Sequence, residues 1–148
     1  MAFIIFINSY RRRYVEKEIR NANYLTAAGP KALEEENLTS MHYFGYETIR
    51  EAYKHISLKD NARILDAGSG FGGCARYWAE QLGTTDTVVA CEYNSEFCEL
   101  SSIITKSMDQ EVANRIENVC DDLTTVQFDG SKFDGVYSIL VFLHVPKM

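Results

Sequence analysis

The sequence has no excess of positive charge and only one short basic run. Its 148 residues include 15 Lys and Arg against 21 Asp and Glu, which gives a formal net charge of −6. Such a balance offers no broad basic surface for nucleic acid. The run Arg11-Arg12-Arg13 is more typical of a solvated turn than of a binding arm. We therefore expect no nucleic-acid partner.

Cysteine is also scarce, and its spacing is uninformative for metal binding. The four cysteines form no C-x-x-C pair, and no histidine stands at zinc-finger spacing; they are Cys74, Cys91, Cys98 and Cys120. Neither a zinc site nor a disulfide framework is indicated. We expect no metal, and we interpret these cysteines as small buried hydrophobic residues in a reducing compartment.

Long hydrophobic runs are missing as well. The apolar run from Ala2 to Ile7 lacks a preceding basic residue and a small-residue cleavage site, so it matches neither a signal peptide nor a membrane span. We expect a cytoplasmic protein without a membrane partner. The chain has no repeats, and its 46% hydrophobic content is enough for the core of one domain.

A glycine-rich turn follows the first predicted strand. That strand, Ile64-Leu65-Asp66-Ala67, leads into the loop Gly68-Ser69-Gly70-Phe71-Gly72-Gly73, and the residues up to Leu82 predict a helix. Glycines let a backbone turn sharply and approach a ligand closely. Gly68, Gly70 and Gly73 also satisfy the dinucleotide pattern G-x-G-x-x-G. The loop alone therefore indicates a nucleotide-type ligand, and NAD is one of the ligands that this pattern fits.

Asp66 indicates which kind of nucleotide-type ligand the loop binds. A carboxylate two residues before the first glycine would repel the pyrophosphate of NAD. S-adenosylmethionine (SAM) has no phosphate and carries a sulfonium and an ammonium group. The acid at this position favours SAM.

Acids also follow the next two predicted strands. Glu92 comes after the apolar run Val88–Cys91, 20 residues beyond Gly72, where an acid can accept hydrogen bonds from ribose hydroxyls. A solvated carboxylate at a strand end is the alternative. Asp121-Asp122 follow the run 115–120, and a carboxylate there can accept from the adenine amine. The candidate SAM-binding residues are Asp66, Gly68, Ser69, Gly70, Gly72, Glu92, Tyr93, Asp121 and Asp122.

Strands and helices alternate along the chain. A helix over 43–56 is expected to lie beside the sheet and to cover the ligand edge; further helices are predicted up to Leu82 and over 95–108, and a fourth strand over 133–140. This alternation is typical of a doubly wound parallel sheet in the α/β class. We divide the chain into an N-terminal helical segment and cap (1–57) and a SAM-binding domain (58–148).

The ordered motifs resemble the class I SAM-dependent methyltransferases. They are D-x-G-x-G-x-G from Asp66, then Glu92, then Asp121-Asp122, then F-D-x-V-Y-S from Phe133, and then L-H-V around His144. The resemblance covers roughly residues 38–145 and is closest to small-molecule enzymes acting on phosphoethanolamine, glycine or sarcosine derivatives. It implies a Rossmann-like, mainly parallel sheet, SAM as the methyl donor and a small-molecule acceptor.

The same resemblance implies catalytic residues. His144, in Leu143-His144-Val145, matches a histidine that takes part in catalysis in the phosphoethanolamine-type enzymes. Their N-terminal catalytic tyrosine aligns with Ser40, and Tyr43 is a possible substitute three residues on.

Two departures from the family pattern affect the expected function. The phosphoethanolamine-type enzymes carry Arg-Asp where this chain has Ile139-Leu140, which permits a less polar acceptor. The family's domain also continues through three more strands, so we expect the SAM-binding domain here to be incomplete. A non-catalytic SAM-binding or regulatory fragment is one alternative function, and a NAD-dependent oxidoreductase is another that Asp66 disfavours. The sequence predicts no particular oligomeric state.

Overall fold

The computed structural model describes residues 46–56, 58–83, 85–130, 132–142 and 145. Helices and strands alternate along most of this part of the chain. The helices are α1 (Tyr46–His55), α2 (Gly73–Gln81), α3 (Ser95–Lys106) and α4 (Gln110–Ala113), and the strands are β1 (Arg63–Ala67), β2 (Thr87–Glu92), β3 (Ile116–Cys120) and β4 (Gly135–Tyr137).

The four strands form one parallel sheet in the order β3-β2-β1-β4. Asp66 is paired with Ala90 in β2 and with Tyr137 in β4, while Glu92 at the end of β2 is paired with Cys120 at the end of β3. Because all strands are parallel, their carboxyl ends meet at one edge. The predicted parallel α/β architecture is confirmed, and it brings the acids of β1, β2 and β3 to the same edge.

The two faces of the sheet are covered differently. One face carries a core built around Trp78 of α2, with Ile49 of α1 and Tyr137 of β4 also buried. The opposite face carries a smaller cluster, in which Leu65 and Val89 pack against the connection between β3 and β4. Among the described residues, only the cluster on the first face includes side chains from helices.

Helix α1 joins the main core by packing along α2. The ring of Tyr46 stacks on that of Tyr77 with 5.1 Å between centroids, and the hydroxyl of Tyr53 donates to the carbonyl of Gln81 over 3.0 Å. These contacts place α1 beside the C-terminal half of α2. The expectation that this helix covers the ligand edge stays a prediction, because the expected helix begins at 43 and residues 43–45 lie outside the described part of the chain.

Strand β4 is shorter than predicted. The sequence predicts that Ile139 and Leu140 continue it, but it ends at Tyr137. The hydroxyl of Ser138 donates to the carbonyl of Ala67 over 2.9 Å, and Leu140 has a φ of 61°, which is incompatible with an extended strand. The chain therefore turns after β4, over the end of β1.

The burial of the cysteines also differs in part from expectation. Cys74 and Cys91 are buried, as expected, whereas Cys98 is half-buried and Cys120 is exposed. Cys120 is the last residue of β3, which stands at the end of the strand order. The four thiols are free.

Among the described residues, no helix is long and apolar enough to cross a membrane.

Candidate functional site

The glycine loop connects β1 to α2 at the carboxyl edge of the sheet. Gly68, Gly70 and Gly72 have φ angles of 81°, 56° and 75°. Residues with a Cβ rarely adopt this left-handed conformation, whereas glycine does so without strain. The three glycines are therefore required by the path of the backbone.

Two of these glycines also permit close approaches. A Cβ at Gly68 would collide with the side chain of Val141, which follows β4. A Cβ at Gly72 would collide with the Ser101 hydroxyl and would lie 2.7 Å from Nη1 of Arg76. The loop is thus enclosed between the end of β4 and helix α3.

Four N–H groups of the loop are used within the protein. The amides of Gly68 and Ser69 both donate to the carbonyl of Cys91, over 2.8 and 3.0 Å, and the amide of Gly72 donates to the carbonyl of Ser69 over 2.8 Å. The amide of Gly70 donates to Oε2 of Glu92 over 2.8 Å. These bonds attach the loop to the end of β2.

Glu92 links the loop to helix α3. Its second carboxylate oxygen, Oε1, accepts from the amide of Asn94 over 2.9 Å. The side chain of Asn94 in turn caps α3 by accepting from the amides of Glu96 and Phe97. Each oxygen of a carboxylate can accept more than one hydrogen bond, so the half-buried Glu92 retains capacity for a ligand hydroxyl.

Asp66 is a buried carboxylate at the end of β1. Its side chain is 3% exposed, and its Oδ2 atom has no hydrogen-bond partner among the described residues. The pKa of Asp66 is raised to about 7, mainly by burial and also by the negative charge of Glu92, while the amide of Ala75 and the charge of Arg76 act in the opposite direction. A cationic ligand at this edge would favour the charged form of this carboxyl group.

The acids after β3 continue the site along the sheet edge. The amide of Asp121 donates to the carbonyl of Glu92 over 3.0 Å, which fixes the two strand ends side by side. Oδ1 of Asp122 accepts from the amide and the hydroxyl of Thr124, over 2.8 and 2.7 Å, and these hydrogen bonds lower the pKa of Asp122. Tyr93 is 75% exposed and follows Glu92 directly.

The structure therefore brings the nine candidate SAM-binding residues to one edge of the sheet. The two candidate catalytic residues, His144 and Tyr43, lie outside the described residues. Sequence reasoning missed Asn94 and Arg76. Asn94 before Ser95-Glu96 is a helix-start signal, whereas nothing in the sequence separates the buried Arg76 from an exposed helical arginine.

Comparisons with known proteins identify the family that the chain resembles. The sequence profile of the Methyltransferase domain family matches residues 64–148. A sterol 24-C-methyltransferase of Gibberella zeae is 29% identical over 93 residues, which are 63% of this chain and 23% of that protein. A phosphoethanolamine N-methyltransferase of Plasmodium falciparum is 29% identical over 102 residues, which are 68% of this chain and 35% of that protein.

Solved structures support the fold. The glycopeptide N-methyltransferase MtfA, complexed with sinefungin, superposes with a TM-score of 0.56 at 17% identity, over 64% of this chain and 36% of that one. A SAM-dependent methyltransferase from Aquifex aeolicus gives a TM-score of 0.54 at 15% identity, over 74% of this chain and 55% of that one.

Fold, glycine loop and strand-end acids together define a Rossmann-like methyltransferase domain. The chain belongs to the Methyltransferase domain family, which confirms the resemblance found in the sequence. It spans about a quarter to a third of the length of the two curated relatives described above.

Proposed function

We propose that this chain forms the SAM-binding part of a methyltransferase that acts on a small molecule. One observation carries the proposal: Asp66 is buried with an unpartnered oxygen beside a loop in which the amides of Gly68, Ser69, Gly70 and Gly72 bond within the protein. A loop that holds a pyrophosphate presents free N–H groups to it. The site therefore suits a cationic nucleoside ligand better than NAD.

The proposed ligand position follows the order of the acids. We assign the methionine part of SAM to the loop from Gly68 to Gly72, near the charge of Asp66. The ribose hydroxyls are assigned to Glu92, and the adenine to Asp121 or Asp122 with Tyr93 beside it. Support comes from the adjacent ends of β1, β2 and β3 and from the remaining acceptor capacity of the carboxylates.

The chemistry required of the protein is mainly alignment. When bound, SAM supplies a methyl carbon that its sulfonium group already activates for in-line displacement. The protein's task is to orient the acceptor and, for an amine or hydroxyl, to provide a base. We propose His144 as that base, because it matches the histidine of the phosphoethanolamine-type motif, and Tyr43 as a second catalytic residue, because it stands three residues after Ser40, where those enzymes have their catalytic tyrosine.

The acceptor is proposed to be less polar than phosphoethanolamine. The segment after β4 carries Ile139 and Leu140 in place of the charged pair of those enzymes, and Ile139 packs against the main core. One relative is named a sterol methyltransferase and another a phosphoethanolamine methyltransferase, so the family accommodates both kinds of acceptor. We further propose a cytoplasmic location, which the four free thiols support.

Binding and turnover test separate parts of this proposal. Titration calorimetry with SAM, S-adenosylhomocysteine and NAD should show binding of the first two and none of the third. A panel of sterol, amine and hydroxyl acceptors with labelled SAM then tests methyl transfer, which we expect to be weak in this chain alone because it spans only about a quarter to a third of the length of the curated relatives; His144→Ala should lower the transfer while SAM binding persists. Preference for NAD would overturn the proposal, and SAM binding with no detectable transfer to any acceptor would favour the non-catalytic SAM-binding fragment.

A further inference from the structure

Three of the four cysteines lie at the same edge of the sheet as the proposed adenosine site. Cys91 is buried in β2, Cys120 is the exposed last residue of β3, and Cys98 is half-buried on the first turn of α3. No three acidic, histidine or cysteine side chains of the described residues are arranged to hold a metal ion. The chemistry available to these thiols is therefore thiol and disulfide chemistry.

Cys98 and Cys120 face each other across the contact between α3 and β3. The hydroxyl of Ser101 donates to Oδ1 of Asn118 over 2.9 Å, so this face of α3 lies on this face of β3. Cys98 is three residues before Ser101 on the helix, and Cys120 is two residues after Asn118 on the strand. Both spacings keep a side chain on the same face.

Hydrogen bonds and strand pairing also place both thiols beside Glu92. The Cys98 thiol donates to the carbonyl of Glu92 over 3.1 Å, and the same carbonyl accepts from the amide of Asp121 over 3.0 Å. Cys120 precedes Asp121 and is paired with Glu92 in the sheet. The side chains of Cys98 and Cys120 also interact with each other.

We propose that Cys98 and Cys120 form a reversible disulfide that weakens SAM binding, an inference that rests on the proposed function. Both thiols adjoin Glu92, whose side chain holds Gly70 and Asn94. Disulfide formation removes the thiol donor to the Glu92 carbonyl. It also requires the two sulfur atoms to approach to about 2 Å, which pulls the start of α3 and the end of β3 together across the proposed ribose site.

The reaction is a thiol–disulfide exchange with a low-molecular-weight disulfide such as oxidised glutathione. The thiolate of the exposed Cys120 attacks one sulfur of that disulfide and releases one thiolate. Cys98 then loses its proton to water and attacks the Cys120 sulfur, which releases the second thiolate. Two protein thiols are oxidised and one small disulfide is reduced to two thiols.

Cys120 begins the exchange because Cys98 is held as a thiol. Burial, the neighbouring Cys120 and the charge of Glu92 together raise the pKa of Cys98 to about 12. Only a thiolate is an effective nucleophile. The second step is therefore expected to be the slower one.

The test compares the full 148-residue chain after treatment with dithiothreitol and with oxidised glutathione. Mass spectrometry of tryptic peptides identifies the disulfide, and calorimetry measures SAM affinity in each state. We expect a Cys98–Cys120 disulfide and a loss of SAM affinity of at least about fivefold, a size typical of coupling between sites, with full recovery on reduction. Cys120→Ser should bind SAM equally under both treatments, whereas Cys74→Ala, which removes a thiol on helix α2, should still respond.

Three results overturn the proposal. The first is the absence of a Cys98–Cys120 disulfide after oxidation. The second is the disulfide with unchanged SAM affinity, or an equal loss of affinity in Cys120→Ser. With either the first or the second result, the reduced chain still binds SAM, and the proposed function stands. The third is a reduced chain that does not bind SAM, which refutes the proposed function and with it any control of SAM binding, whether or not the disulfide forms.

Discussion

Asp66 combines a cost to folding with a benefit to binding. Its pKa of about 7 in the folded chain lies above the ordinary value of 3.8, so the folded state holds the proton more tightly than the unfolded state does. The contribution of this group to stability is fully present below about pH 4 and is lost as the pH rises through about 7. Above that pH, the folded chain carries a poorly solvated negative charge.

Asp66→Asn should therefore stabilise the chain at pH 8 and weaken SAM binding. Thermal unfolding at pH 8 is expected to show a higher Tm than wild type, with the difference shrinking towards pH 5. Asp86→Asn is the matched control, because Asp86 is also buried but accepts from the amides of Ala62 and Gly83; this variant should be destabilised. An Asp66→Asn protein with the wild-type Tm at both pH values would contradict the prediction.

Binding of SAM should depend on pH for the same reason. A cation near Asp66 lowers its pKa, so binding releases a proton where the free chain is protonated. We expect SAM affinity to increase from pH 6 to pH 8 by up to about tenfold per pH unit below the pKa. Calorimetry in buffers of different ionisation enthalpy measures the released proton, and the release should vanish in Asp66→Asn.

Glu92→Ala should weaken SAM binding by about 1–3 kcal/mol, because it removes charge-assisted hydrogen bonds to the ribose. It also frees the amides of Gly70 and Asn94, so a loss of loop order adds to the effect. The control is Glu99→Ala, which removes an exposed acid from the same part of the chain. Equal affinities of the two variants in calorimetry would place the ribose elsewhere.

At the scale of elements, the parts best predicted from the sequence are those that depend on local pattern. β1 and β2 are apolar runs followed by an acid, and the glycine loop has its own signature, so both strands and the loop occur where expected. Helix α4 was missed because its four residues are too few for a periodic pattern. The bond from the Gly70 amide to Glu92 joins residues 22 apart, and no local pattern reveals such a contact.

Helix α1 is predicted to be part of the folded core. Ile49→Ala should lower the free energy of unfolding by about 2–4 kcal/mol, because it leaves a cavity where a fully buried side chain packed. Arg50→Ala, at the exposed neighbouring position, should change it by less than about 0.5 kcal/mol. Urea unfolding measures both, and a small effect of Ile49→Ala would mean that α1 is dispensable to the core.

At the scale of the whole molecule, the two outer strands differ in character. β3 presents Glu117, whose side chain is 58% exposed, and charged residues discourage pairing between sheet edges. On the β4 side, Val136 is 60% exposed and Phe142 is 61% exposed. Among the described residues, β4 is paired on one side only.

The 148-residue chain should therefore self-associate through the β4 side. We expect sedimentation velocity to show a concentration-dependent increase in mass, which the double variant Val136→Thr, Phe142→Ser reduces. SAM affinity should not change, because neither side chain belongs to the proposed site. Glu117→Gln serves as the control on the opposite edge. A wild-type chain that stays monomeric at all concentrations would refute the prediction.

The pairing of β4 with β1 has a consequence for the order of folding. The amide of Asp134 donates to the carbonyl of Arg63 across 71 residues, whereas β1, α2 and β2 are close neighbours along the chain. Closing the longer loop costs more entropy, so β4 is expected to join last, with Tyr137 settling against Trp78. Stopped-flow kinetics should then show Tyr137→Phe mainly accelerating unfolding and Val89→Ala slowing folding. The last strand would thus govern how long the folded site persists, and the first two how quickly it forms.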